Sequence, residues 1–433
     1  MKRNLVTSLL VLCLVLSVGP VFESAAQGKT TLTYFSWGLA EEIWGGWIRD
    51  IVAKYEEQNP GIKIELQSTT FADKETVYTT RCEAGVGPDI GDFSFDVVPL
   101  FAKKGYIMSV NTFIEQEEPE FIETWSETAI SALTVDGNVY MIPGSFYPWL
   151  LVYNSKLFGE AGLDPCHPPK TMEEFLENAK VLTRDTDDDG KVDQWGFGMT
   201  AARTLGLFSR FSGFVWSAGG DYLTKDLSSS ALNSPEALEG FKFFVELATK
   251  HKVAHPGAVE MGPHDVRIAL ANEKVAMNVG TAFTPGIVDG INPELNAFKV
   301  LQFAPFPSYG EKPVFTQATL VGQVISAQTK HPQEAWDFVK YVNNYENQLE
   351  TWYVNGWTSA RRDVTQSEAI TSDKFGRLLV ENQDRVKFPP AIEEWPETAD
   401  IVITALQNAL TGVQTPEEAL AEAHDRINDL LGR

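Results

Sequence analysis

The stretch Leu151–Phe175 reads LVYNSKLFGEAGLDPCHPPKTMEEF, and its order of residue types predicts a strand, a turn and a helix. The apolar run at its start is typical of a buried strand. A polar turn then leads into one amphipathic turn of helix that ends at Gly162. Thr171 is expected to cap the next helix, with Glu174 three residues later as its reciprocal capping-box partner. This order of elements indicates an α/β protein.

Strands and helices also alternate on both sides of this stretch. Thr31–Trp37 is predicted to be a strand and Glu41–Asn59 a helix, and apolar residues alternate again at 62–66. Further helices are predicted to begin after Ser234 and Thr415, each followed by Pro and Glu. The pattern predicts α/β domains with mostly parallel sheets. A chain of 433 residues is long enough for two of them.

The first residues have the pattern of a secretory signal peptide. Lys2 and Arg3 precede an apolar run at 5–18, and residues 24–26 form a small-x-small cleavage site. We therefore expect residues 1–26 to be removed and the protein to be soluble and exported, either periplasmic or extracellular. The alternative is an N-terminal membrane anchor, but the run is shorter than the roughly 20 residues that span a bilayer.

Charge and cysteine content narrow the classes of partner and of fold. A net charge of −24 argues against nucleic acids and anionic membrane surfaces as partners. Cys82 and Cys166 are the cysteines that follow the predicted signal peptide. Two thiols are too few for a disulfide framework, so large apolar cores must stabilise the fold.

Several short motifs occur in the order found in the carbohydrate-binding proteins of bacterial ABC importers, the maltose-binding protein family, which the chain resembles. Besides Leu151–Phe175, the matching segments are Tyr55–Ile62, Gly87–Ile90, Gly105–Ile107, Ala218–Gly220, Lys274–Met277 and Glu334–Phe338. The resemblance implies a two-lobed periplasmic-binding-protein fold of the α/β class. It also implies three interlobe crossovers and a ligand cleft between the lobes.

Each lobe is then expected to be built from separate parts of the chain. The resemblance implies an N-terminal lobe of 27–145 plus 321–365, a C-terminal lobe of 150–315 plus 370–433, and hinge segments 146–149, 316–320 and 366–369. Cys82 and Cys166 fall in different lobes, which must separate to admit a ligand. We therefore expect both thiols to be reduced.

A sugar site needs aromatic faces and a few orienting polar groups in a cleft. The resemblance implies ten ligand-binding candidates: Trp37, Glu41, Phe93, Asp96, Tyr147, Trp149, Trp216, Phe283, Trp357 and Arg361. Glu41 and Asp96 match acidic sugar ligands of the family, whereas Asp92 is expected to be solvated. Phe283 would replace a cleft tryptophan of the family. The alternatives are core or hinge packing for the aromatic residues, a loop acid for Asp96 and solvent exposure for Arg361.

An aspartate-rich loop is a candidate calcium site. Asp185, Asp187, Asp189 and Asp193 occupy positions one, three, five and nine of an EF-hand-like loop. Position twelve is Gly196 instead of the bidentate glutamate, so the site is incomplete. The alternative is a solvated acidic turn. Calcium would be structural, and no cofactor is required.

Enzyme motifs are incomplete along the chain. The candidate phosphate-binding loop and nucleophile elbow each lack their first glycine, and no H-E-x-x-H motif is present. We therefore expect a monomeric binding protein, not an enzyme, that captures a mono- or oligosaccharide and delivers it to the transmembrane subunits of an ABC permease. The alternatives are a polyol, phosphorylated glycerol or acidic sugar as ligand, or a secreted glycoside-active enzyme.

Overall fold

The structure is a computed structural model that describes residues 29–71 and 73–432. The predicted signal peptide lies outside these residues. The strands are β1 (Thr30–Ser36), β2 (Ile62–Ser68), β3 (Ile90–Ser94), β4 (Thr134–Val135), β5 (Asn138–Val139), β6 (Met141–Pro148), β7 (Leu150–Asn154), β8 (Trp195–Gly198), β9 (Val275–Gly280), β10 (Leu301–Ala304) and β11 (Ala318–Ile325).

Helices separate most of these strands. The α-helices are α1 (Glu42–Gln58), α2 (Lys74–Glu83), α3 (Val98–Lys103), α4 (Asn111–Ile114), α5 (Glu127–Ala132), α6 (Ser155–Glu160), α7 (Met172–Val181), α8 (Leu205–Ser217), α9 (Pro235–Thr249), α10 (Pro263–Ala271), α11 (Thr284–Ile291), α12 (Ala297–Val300), α13 (Pro332–Val342), α14 (Tyr345–Asn355), α15 (Arg362–Thr365), α16 (Glu368–Thr371), α17 (Lys374–Gln383), α18 (Trp395–Leu410) and α19 (Pro416–Leu430). Short 3-10 helices cover Trp37–Ala40, Phe95–Val97, Ile122–Thr124, Ala258–Glu260 and Pro293–Leu295.

Two sheets, each with its own apolar core, define two lobes. The first sheet has the order β2-β1-β3-β11-β6, and the second has the order β10-β7-β9-β8. The expectation of mostly parallel sheets is wrong, because β11 and β7 each run antiparallel to both of their neighbours. These antiparallel strands adjoin the points where the chain passes between the lobes, and a parallel pairing would need a crossover helix there.

The quoted stretch folds largely as its sequence predicts. It contains all of the buried strand β7 except Leu150, and Gly162 has φ +79°, which suits the turn after α6. Thr171 Oγ1 accepts a hydrogen bond from the Glu174 backbone N at 3.2 Å. However, Glu174 Oε2 accepts from the backbone N of Lys170 at 2.7 Å instead of from Thr171. The reciprocal half of the predicted capping box is therefore displaced by one residue.

Three chain segments lie side by side where the two lobes meet. Trp149 separates β6 from β7, and its backbone N donates to Gln317 O at 2.8 Å. The backbone N of Thr316 donates to Arg385 O at 2.9 Å, and Lys387 N donates back to Thr316 O at 2.9 Å. These backbone bonds join the three crossings into one narrow hinge.

The third crossing lies later in the chain than predicted. Residues 366–369 were expected to form it, but Val386 still packs in the core of the first lobe. The chain joins the core of the second lobe by Trp395. The crossing therefore lies near 385–388, where its backbone pairs with Thr316.

Both described cysteines are free thiols, as the two-lobe interpretation predicts. Cys82 is buried in the core of the first lobe, and Cys166 is exposed in the second. No helix among the described residues combines the length and apolarity needed to cross a membrane.

Candidate ligand cleft at the hinge

Candidate side chains meet at one edge of the first sheet. β1 and β3 are parallel neighbours, so Trp37 and Asp96, which follow them, lie at the same edge. β6 is antiparallel to β11, which is antiparallel to β3, so β6 also ends at this edge and leads into Trp149. Ligands bind outside the carboxyl ends of strands in sheets of this kind. The topology therefore places a candidate cleft beside the hinge.

A continuous series of aromatic rings runs along this cleft from one lobe to the other. We call it the aromatic array. Its neighbouring centroids are separated by 5.0 Å (Phe71–Trp37), 5.2 Å (Trp37–Trp44), 3.9 Å (Trp44–Trp357), 5.7 Å (Trp357–Tyr147), 5.8 Å (Tyr147–Phe283) and 6.5 Å (Phe283–Trp149). Five of the predicted site residues are therefore brought together. Trp44 and Phe71 are additions that the sequence did not single out.

Three buried indole groups of the first lobe lack an acceptor within the described residues. They are the Nε1 atoms of Trp37, Trp44 and Trp47. Buried polar groups are normally hydrogen-bonded. These donors are therefore available to an acceptor that is not part of the chain.

Asp96 is a partly buried carboxyl group beside the array. It belongs to the 3-10 helix after β3, and its Oδ1 is completely buried without a hydrogen-bond partner in the described residues. Burial raises the pKa of Asp96 to about 6, and the charge of Glu75 adds to this effect while Lys74 opposes it. The group is thus positioned and unsatisfied, as an acceptor for a ligand hydroxyl would be.

Four of the predicted residues lie outside the array. Glu41 is exposed at the start of α1, where its side chain makes no capping bond. Arg361 is occupied within the first lobe, because it binds both oxygens of Asp363 and donates Nη1 to Asn343 O at 3.0 Å. Its guanidinium also lies 5.1 Å from the ring of Trp125. The structure therefore gives Arg361 a structural position in place of the predicted cleft position.

Phe93 and Trp216 are core residues, which corrects their assignment to the cleft. Phe93 is 0% exposed and packs against Tyr78 at 4.8 Å and Phe101 at 5.3 Å. Trp216 is buried in the second lobe, where its Nε1 donates to Asp221 at 3.0 Å. Aromatic residues suit cores as well as sugar sites, and here packing partners from distant segments decide.

Asp92 is fully buried instead of solvated, and it begins a chain of hydrogen bonds through the first lobe. Its Oδ1 accepts from Gln323 at 2.6 Å, Gln323 accepts from Asn343 at 2.6 Å, and Asn343 accepts from Gln348 at 3.2 Å. Gln348 in turn accepts from Ser359 at 2.8 Å. Burial raises the pKa of Asp92 to about 6, although its hydrogen bonds oppose this. The network supports the lobe behind the array.

Two arginines lie on the second-lobe side of the array. The Arg210 guanidinium is 4.2 Å from the ring of Trp149, and that of Arg267 is 5.3 Å from the ring of Phe283. Sequence reasoning overlooked Arg267, since one basic residue in a helix carries no signal of its own. Its position four residues before the end of α10 becomes informative only through contact with Phe283.

The aspartate-rich loop brings three of its four predicted ligands together. Carboxylate oxygens of Asp185, Asp187 and Asp189 lie within 4.8 Å of one another. Asp193 instead accepts hydrogen bonds from Thr186 and lies 3.4 Å from Lys274 Nζ. Partial desolvation raises the pKa of Asp185, but hydrogen bonds from backbone N–H groups, of which that of Gly190 has the largest effect, hold this pKa below its ordinary value. Three carboxylates fit a calcium ion only in part.

A fold of two lobes joined by three crossings, with an aromatic cleft at the hinge, defines a solute-binding protein. Residues 41–349 match the bacterial extracellular solute-binding protein family, and the chain belongs to that family. This confirms the resemblance drawn from the sequence motifs.

Individual relatives cover nearly all of the chain. The arabinooligosaccharide-binding protein of Halalkalibacterium halodurans is 24% identical over 87% of this chain and 85% of its own. The sn-glycerol-3-phosphate-binding periplasmic protein of Escherichia coli is 22% identical over 96% of both. An ABC transporter solute-binding protein of Thermotoga lettingae, solved with alpha-D-tagatose, is 27% identical, with a TM-score of 0.82 over 93% of this chain and 100% of that one.

Proposed function

We propose that this protein is the substrate-binding component of an ABC importer and captures a carbohydrate between its lobes. The aromatic array carries the proposal, because ring faces suit the apolar faces of pyranoses and the array extends from Trp37 in the first lobe to Trp149 at the crossing. The unsatisfied Asp96 carboxyl and indole N–H groups would bond sugar hydroxyls. Sugar-binding relatives support this choice of ligand.

Capture would depend on closure of the two lobes about the hinge. A sugar that contacts both ends of the array stabilises the closed state by contacts that the open state cannot make. The backbone bonds among Trp149, Gln317, Thr316 and Arg385 keep the hinge ordered while the lobes rotate. The closed protein would then deliver its sugar to the transmembrane subunits of the permease. This action requires no bond-breaking step, and the protein would work as an exported monomer.

The experiment is a thermal-shift screen against mono- and oligosaccharides, followed by calorimetry. A ligand at a hundred times its dissociation constant adds about 2.7 kcal/mol to the free energy of unfolding. Trp357→Ala should abolish the shift because Trp357 joins the two halves of the array. Tyr353→Ala is the control, since Tyr353 is 68% exposed on the preceding helix. Consumption of an oligosaccharide during the assay would instead favour a glycoside-active enzyme.

We also propose that the aspartate-rich loop binds calcium weakly in a structural role. Asp187→Asn combined with Asp189→Asn should lower the melting temperature in calcium and leave sugar specificity unchanged, because two of the three clustered carboxylates are lost. Melting temperatures in calcium and in EDTA provide the measurement. Identical values for the unsubstituted protein under both conditions would reduce the loop to an acidic turn.

A further inference from the structure

Arg210 is a buried cation and Arg267 is a half-buried one, and neither has a carboxylate partner among the described residues. Arg210 is 8% exposed, and its Nη1 donates to Gly206 O at 2.9 Å and to Ser209 Oγ at 3.4 Å. Within residues 29–71 and 73–432, Arg267 forms no ion pair and no hydrogen bond. Each therefore retains donors that no carboxylate of the chain uses.

The charges around the two arginines reinforce this picture. Burial, and next the positive charge of Arg267, lower the pKa of Arg210 to about 9. Burial also lowers the pKa of Arg267, while Tyr147 opposes that change. Asp265 is the acidic residue nearest to Arg267 on its own helix, and its Oδ2 accepts a hydrogen bond from the backbone N of Gly262 at 2.8 Å. Burying a charge without a counter-charge is costly, and a bound anion would relieve the cost at both residues.

The two guanidinium groups also lie where a ligand of the cleft would reach them. They cover Trp149 and Phe283, the second-lobe members of the aromatic array, whose ring centroids are 6.5 Å apart. A guanidinium presents paired N–H donors that match the oxygens of a carboxylate or a phosphate. A sugar stacked on the array would therefore place an acidic substituent between them.

We infer that Arg210 and Arg267 form an anion subsite and that the captured carbohydrate carries a carboxylate or phosphate group. The inference rests on the proposed function and narrows its ligand class. The hydroxyl groups of the sugar then face Asp96 and the indole donors, and its acidic group faces the second lobe. Because Asp96 lies on the first-lobe side of the cleft and the two arginines lie on the second-lobe side, the cleft would select a ligand that carries its negative charge at one end only.

Calorimetry with matched probes tests the subsite. Galacturonate is compared with galactose, and glucose 6-phosphate with glucose. We expect the acidic member of at least one pair to bind tenfold or more tightly than its neutral counterpart. The pair that shows the difference identifies the group as carboxylate or phosphate.

Arg267→Gln should remove that preference, whereas Arg210→Lys should retain part of it. Arg203→Gln is the matched control, because Arg203 lies in the same lobe but pairs with Asp400 at the surface. Equal affinity for acidic and neutral members would overturn the anion subsite and leave the sugar-binding proposal intact. Failure of the acidic probes to bind, while a neutral saccharide from the thermal-shift screen does bind, would also overturn the anion subsite and leave the sugar-binding proposal intact. A preference that survives in Arg267→Gln would also reject the subsite.

Discussion

Asp96 illustrates how a single carboxyl group can be placed for binding at the expense of stability. Its buried Oδ1 has no partner in the described residues, and burial raises its pKa to about 6. A site that receives a ligand hydroxyl must leave an acceptor unsatisfied until the ligand arrives. The same carboxyl therefore has opposite effects on ligand affinity and on the free energy of unfolding, and the two can be measured separately.

Asp96→Asn is expected to weaken binding of the cognate sugar by about 1.5–3 kcal/mol, the usual contribution of a hydrogen bond to a charged group. Isothermal calorimetry at pH 7.5 measures the change. Glu41→Gln serves as the control, because Glu41 is exposed and lies outside the array. Unchanged affinity in Asp96→Asn would exclude Asp96 from the ligand site.

The same substitution should stabilise the ligand-free protein at neutral pH. Because the pKa of Asp96 is raised from 3.8 to about 6 in the folded state, the folded state binds more protons between these values and loses stability as pH rises through them. Asp96→Asn removes this contribution and should be more stable by roughly 1–3 kcal/mol at pH 7.5, with no gain at pH 3.5. Urea unfolding at both pH values measures the difference. A gain of the same size at pH 3.5 would show that ionisation is not the cause.

Sequence could indicate Asp96 but could not separate cleft aromatics from core aromatics. Asp96 was predicted from its short distance in sequence from Gly87–Ile90, and the structure places it in the 3-10 helix that directly follows β3. Phe93 lies three residues before it, yet Tyr78 and Phe101 enclose its ring. That enclosure depends on contacts between elements, which residue type and spacing do not encode.

At the scale of elements, helix ends were predictable and close packing between helices was not. Thr415 and Glu418 form a capping box at the predicted start of α19, and all of its atoms lie within one turn. Gly240 lies within α9 and carries no comparable signal. An added Cβ there would fall on the backbone carbonyl of Phe214 in α8. The absence of a side chain at Gly240 sets how closely these two helices approach.

Gly240→Ala should therefore destabilise the protein by about 1–3 kcal/mol, the usual cost of overpacking, although alanine favours helices. Gly46→Ala in α1 is the matched control, since nothing lies within 4 Å of the added Cβ. In this control the free energy of unfolding should rise by about 0.5–1 kcal/mol. Urea unfolding of the two variants measures both effects. Stabilisation by Gly240→Ala would mean that α8 and α9 can move apart without loss.

For the whole molecule, the resemblance predicted two lobes and a hinge, but the third crossing was placed too early. The segments 366–369 (Gln-Ser-Glu-Ala) and 385–388 (Arg-Val-Lys-Phe) differ in composition, but neither composition marks a crossing between lobes. What distinguishes the later segment is its backbone pairing with Thr316, which lies 70 residues before Val386 in the chain. A long-range backbone contact of this kind leaves little trace in local residue types.

Separate lobes should also keep the two described thiols apart. In the native protein Cys166 should react readily with an alkylating reagent, whereas Cys82, which is buried and whose thiol pKa is raised by desolvation, should not. Denaturation without a reducing agent should expose a second reactive thiol. Intact-mass measurement of protein cleaved after residue 26 would show one added group and then two. Finding none after denaturation would mean that the thiols are linked.

The core of the second lobe is completed by the last helices of the chain. Trp395 packs against Phe208 at 5.2 Å, and Leu420 and Ile427 of α19 are buried in the same core. During synthesis this lobe therefore cannot finish folding until residues 395–430 have left the ribosome. The first sheet likewise cannot form completely until β11, which lies between β3 and β6, has been synthesised. Prematurely terminated chains would lack a finished lobe and remain open to proteolysis.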